Sequence, residues 1–64
     1  MKTTHTAAYH HLLVLLVEAR KASELTQRKL SERLGQPPTY VSKFERGERR
    51  LDVVEFLLIA RSLG

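Results

Sequence analysis

Four cations, Lys43, Arg46, Arg49 and Arg50, fall within eight residues, directly after a stretch that carries the hydroxyls of Thr39, Tyr40 and Ser42. Ammonium and guanidinium groups donate hydrogen bonds from a fixed positive charge, and hydroxyls both donate and accept. Together they suit a polyanion whose edges also offer acceptors. Lys43 can donate to guanine O6 and N7, a contact that discriminates between bases by about 1–3 kcal/mol, or it can touch a phosphate. Arg46, Arg49 and Arg50 read as phosphate contacts, which position a protein without specifying sequence, or as a solvated loop. Thr39 and Tyr40 are also open to packing or capping. Tyr40 can further lean over a phosphate backbone or against a thymine methyl.

Catalytic chemistry has no comparable set of residues. No nucleophile–base–carboxylate group and no glycine-rich phosphate loop is present, and Gly47, between Arg46 and Arg50, reads as a helix stop. His5, His10 and His11 are separated by five and by one, so no two share a helical face at i and i+4, and no cysteine joins them. Neither an enzyme nor a metal or other cofactor is expected.

The charge is unevenly placed. Residues 26–50 hold seven bases against three acids, an excess of +4, whereas the rest of the chain holds four of each. That concentration fits a polyanion-binding surface and, on charge alone, equally fits a mildly basic solvated face. Sixty-four residues make one small domain, 1–64, and a chain of this size buries only about 60% of its unfolded surface. With no cysteine, neither disulfides nor thiolate zinc can reinforce it. The longest apolar run, Leu12 to Val17, is far too short to span a membrane and has no signal-peptide flanks, so a cytoplasmic protein is expected.

Four helices must position these residues. The first is expected over about 7–22, with apolar positions 8, 12, 16 and 19 at helical spacing. The second is expected over about 27–34: Thr26 is its N-cap, Leu25 and Leu30 a hydrophobic staple, Gly35 its left-handed stop, and small Ser31 a place for another helix to approach. The third is expected over about 38–46. Residues before proline avoid the helical region, so Pro37 stays outside and Pro38 opens the helix, leaving the amides of Thr39 and Tyr40 free for an anion. Pro37 offers no capping oxygen. Val41 and Phe44 then share one side; Thr39, Ser42, Lys43 and Arg46 share the other, with Tyr40 at the flank. The fourth is expected over about 53–63, with Asp52 and Glu55 as a capping box, Leu51 and Phe56 as a staple, and Val53, Phe56, Leu57, Ala60 and Leu63 as its inner stripe. No strand pattern competes, so the fold class is all-α.

A helix, a short turn through Gly35 and a second helix have the length and punctuation of a helix-turn-helix. LTQRKLSERLG (25–35), TYVSKFERGER (39–49) and LDVVEFLLIARSLG (51–64) resemble the small lambda-repressor and Cro-like DNA-binding domains, also called XRE-like regulators. The resemblance implies a compact four-helix fold, or a truncated five-helix one, whose third helix lies in the major groove. By position, Gln27 matches a glutamine that touches phosphate and supports the reading helix, and Thr39, Tyr40 and Lys43 match base-reading positions. Arg46, Arg49 and Arg50 match phosphate-gripping positions; Arg28, Gln36 and Ser42 complete the expected DNA-binding set. Arg20 and Glu45 match an ion pair tying the first helix to the third. The chain departs from the pattern at Pro37, at Pro38, at apolar Leu58, and in stopping at Gly64 before the fifth helix that many relatives use to dimerise.

Two functions follow. One is a sequence-specific regulator of transcription, a repressor, binding palindromic double-stranded DNA as a homodimer. The other is a protein-interaction module or antitoxin-type component on the same scaffold, using the apolar excess of the first and fourth helices.

Overall fold

The computed structural model describes residues 6–64, so the reading of His5 lies outside the described residues. Four helices follow one another: α1 (Ala7–Ala22), α2 (Gln27–Arg33), α3 (Tyr40–Glu45) and α4 (Val53–Leu63), with no strand among the described residues.

Each boundary has a local cause. Thr6 caps α1 by accepting the Tyr9 amide at 3.1 Å. No glycine ends this helix. Glu24 takes the left-handed conformation (φ 58°), which lets its own amide and that of Leu25 donate to the Lys21 and Arg20 carbonyls. Thr26 caps α2 by accepting the Lys29 amide at 3.0 Å. Gly35, at φ 68°, closes it, with Gly35 and Gln36 donating to the Glu32 and Ser31 carbonyls. Gly47 repeats that closure after α3. At α4, Asp52 accepts the Glu55 amide at 2.7 Å while Glu55 accepts the Asp52 amide at 3.0 Å, a complete capping box.

The start of α3 differs from the expectation. The α-helix begins at Tyr40, not Pro38, because the Tyr40 amide donates to the Pro37 carbonyl at 2.9 Å and closes a tighter turn through Pro38 and Thr39. That amide is therefore not free for an anion. The next one, of Val41, donates to the Ser31 hydroxyl at 3.2 Å. Buried Ser31 thus supplies from α2 the capping oxygen that Pro37 lacks.

The core comprises Leu13 and Leu16 of α1, Leu25 and Leu30, then Tyr40, Val41 and Phe44 of α3, Leu51 and Ile59. Full burial of a side chain such as Phe44 or Ile59 contributes roughly 1.5–3 kcal/mol. α3 packs on both α2 and α1, and α4 packs on α1. The Tyr9 hydroxyl accepts the Leu51 amide at 2.9 Å and so pins α1 to the entry of α4.

The inner stripes of α1 and α4 are each rotated from the expected ones. On α1 the buried positions are Leu13, Leu16 and Arg20, and Ala8 is exposed. On α4, Ile59 is buried with Phe56 and Leu63 partly so, whereas Val53, Leu57 and Ala60 face outward. Both helices are apolar on more than one face, so spacing alone admits several stripes. Burial of Arg20 and of Leu51 selects among them.

Candidate nucleic-acid interface

Val41 and Phe44, both at 0% exposure, fix the rotation of α3 about its axis. Thr39, Lys43 and Arg46 are exposed on its outer side. Ser42 is half-buried and spends its hydroxyl locally, donating to the Thr39 carbonyl at 3.0 Å. Tyr40 requires a correction. The residue is only 7% exposed and its ring sits edge-on to Phe44 with centroids 5.6 Å apart, so it belongs to the core rather than to an outward reading face. With two core positions at 41 and 44, a residue at 40 falls on the flank, and an aromatic ring there turns inward to bury its area.

Beneath this face lies a hydrogen-bonded network joining three helices. Arg20 of α1 donates to Glu45 of α3 from Nε at 2.7 Å and from Nη2 at 3.2 Å, and from Nη1 to the Leu25 carbonyl at 2.7 Å. Gln27, at the first position of α2, donates from its amide to the same carboxylate at 2.8 Å. The two charged side chains are 10% and 6% exposed. The carboxylate therefore sits where a fork of two donors and a third from α2 converge, which satisfies the buried charges.

Gln36, Thr39, Lys43 and Arg49 come together, with Pro37 and Tyr40, around a shallow cleft of about 260 Å³. Arg49 lies 5.4 Å above the Tyr40 ring and donates to Glu55, which also accepts the Tyr40 hydroxyl at 2.9 Å. The Arg49 hydrogen bond is the main cause holding the Glu55 carboxyl below its ordinary range. Burial, and then Glu55, push the Tyr40 phenol up. Arg46 donates to Glu48 at 2.7 Å in an exposed pair, which lowers the Glu48 carboxyl and raises the guanidinium. Arg28 and Arg50 are exposed and make no ion pair among the described residues. Arg50 lies apart from the cleft, at the rim of a groove between α1 and α4.

Three contributors were not evident from sequence. Ser31 reads as a small packing residue, Glu48 as one surface acid, and Glu55 only as half of a capping box. The spacing of Glu48 two residues after Arg46 is the only local signal that any of them meets a cation.

The geometry of α2, the tight turn and α3 is that of a helix-turn-helix, and residues 16–64 match the family described as Helix-turn-helix. The chain belongs to the lambda-repressor-like helix-turn-helix family. This is a family of DNA-binding regulators. The match takes in α2, α3 and α4 whole, with the latter part of α1. No curated protein and no solved structure matches. Among the described residues, no helix of this helix-turn-helix protein is long and apolar enough to cross a membrane.

Proposed function

We propose that this helix-turn-helix protein binds double-stranded DNA sequence-specifically, with α3 in the major groove, and represses transcription as a pair of copies on a palindromic operator. The observation that carries the reading is the division of α3 into two sides, Val41 and Phe44 wholly buried, Thr39, Lys43 and Arg46 exposed. A helix enters the major groove, about 12 Å wide, and reads base edges from its exposed side. In this reading Thr39 and Lys43 contact bases. Gln27, Arg28 and Gln36 approach phosphates from α2 and the turn, and Arg46, Arg49 and Arg50 do so beyond α3. Tyr40 acts from inside, as the platform on which Arg49 rests.

The test is a titration of labelled genomic fragments with wild type, Lys43→Ala and Arg50→Ala. Lys43→Ala is expected to lose preference for its selected fragment, by about 1–3 kcal/mol, while still binding random duplex. Arg50→Ala is expected to weaken every duplex alike and to reduce the salt slope by about one. Failure of wild type to enrich any fragment over random duplex would refute base reading by α3.

A further inference from the structure

The capping box of α4 needs only one oxygen of Glu55. Oε1 accepts the Asp52 amide at 3.0 Å and completes the box. Oε2 accepts the Tyr40 hydroxyl at 2.9 Å and a hydrogen bond from Arg49 Nη2. The carboxylate is thus held from two sides, by the first turn of α4 and by a phenol seated in the core. Its side chain is 20% exposed, whereas that of Arg49 is 50% exposed, so a fixed acid grips a cation that reaches into solvent. The Tyr40 ring lies 5.4 Å from the same guanidinium and attracts it through its face. The main chain is fastened as well, since the Glu48 and Arg49 amides donate to the Lys43 carbonyl at 3.0 and 3.4 Å. Arg49 therefore stands at a set place beside Lys43, around the cleft that Gln36 and Thr39 share.

We propose that Glu55 is a positioning residue for sequence recognition: by fixing Arg49 on the Tyr40 ring, it sets the register in which Thr39 and Lys43 meet the bases. The proposal rests on the DNA reading above and adds to it a residue that touches no DNA. An exposed arginine on a loop samples many rotamers, and ordering it on binding costs affinity. Glu55 orders it beforehand. A guanidinium carries several N–H donors, so the bond to Glu55 leaves others for a phosphate. Phosphate contacts fix register and orientation without carrying sequence information themselves. A loose Arg49 still supplies charge and still releases counterions on any duplex. Only a fixed one holds α3 at a single setting. A negative charge near a polyanion would by itself weaken binding to every duplex alike, so repulsion and positioning predict opposite effects of removing it.

The test compares wild type, Glu55→Gln, Arg49→Ala and the double variant at one salt concentration, on the fragment wild type selects and on random duplex. Glutamine keeps the capping box through its single amide oxygen, which turns the NH2 group towards Arg49 and releases it. Helix content by circular dichroism should not change. Glu55→Gln is expected to weaken binding to the selected fragment roughly three- to tenfold, the loss of one pre-ordered side chain. It should bind random duplex as tightly as wild type or more so. Arg49→Ala should weaken both duplexes, and adding Glu55→Gln to it should cause no further loss of preference. Tyr40→Phe keeps the ring but drops the hydroxyl that steadies Glu55; it should lose preference in the same direction, and it decides the matter if Glu55→Gln lowers helix content. A folded Glu55→Gln that keeps the wild-type preference, or that lowers it equally with and without Arg49, overturns the proposal alone. A wild type that prefers no fragment overturns the DNA reading, and the proposal with it.

Discussion

Glu45 receives donors from two other helices, Arg20 at 2.7 Å and Gln27 at 2.8 Å, and this one carboxylate sets how α3 sits on the rest of the protein. Removing one partner of a buried pair strands the other, at a cost of about 3–5 kcal/mol. A chain of this size has a total stability of roughly 3–10 kcal/mol. Arg20→Ala is therefore expected to bring the protein close to unfolding in urea, while Arg61→Ala or a break of the exposed Arg46–Glu48 pair leaves the midpoint nearly unchanged. Equal, small shifts for all three would contradict a buried role for Arg20. Glu55 gives a pH signature. Its folded carboxyl is depressed below the ordinary value of 4.5, so the stability it confers is present above that value and is lost as pH falls through the depressed one. Glu55→Gln keeps the capping box but cannot titrate. Its melting temperature should fall less steeply than that of wild type as pH drops from about 5 to about 3. Parallel curves would show that the Arg49 contact contributes nothing to folding.

At the scale of elements, the helix ends were legible because punctuation is local chemistry. Thr26, Gly35, Gly47 and the Asp52–Glu55 box each act within a few residues of themselves, and each stands where its type predicts. What the sequence left hidden depends on partners distant along the chain. The N-terminal cap of α3 is Ser31, ten residues earlier, so its start could not be read from the two prolines. The end of α1 carries no glycine, and only backbone conformation shows Glu24 in that role. The inward sides of α1 and α4 were ambiguous because apolar residues surround most of each helix. Tyr40 matches a base-reading position by resemblance, but its place on the flank of α3 admits either direction, and only the fold turns it inward. Two substitutions test this layer by thermal melts. Ser31→Ala leaves the buried Val41 amide unpaired and should cost about 1–3 kcal/mol. Glu24→Gly removes left-handed strain from an exposed residue and should raise stability by up to about 1 kcal/mol. A neutral Ser31→Ala would mean that the α3 cap is dispensable.

Across the whole molecule, charge and apolar surface are separated. The excess of +4 lies in residues 26–50, on α2, α3 and their loops, while four of the large exposed apolar side chains lie on α4. A surface that binds phosphates releases counterions, so affinity for duplex should fall linearly with salt on logarithmic axes, with a slope of about −0.9 per phosphate contacted. The central claim, that the outward side of α3 is what meets DNA, is tested most directly by following backbone amide resonances while a short duplex is added. The account predicts the largest shifts at Gln36, Thr39, Lys43 and Arg46, with smaller ones at Arg28 and Arg49 and little change at Val54, Leu57 and Leu58. Shifts concentrated on α4 or on the outer face of α1, with residues 36–46 unmoved, would contradict it.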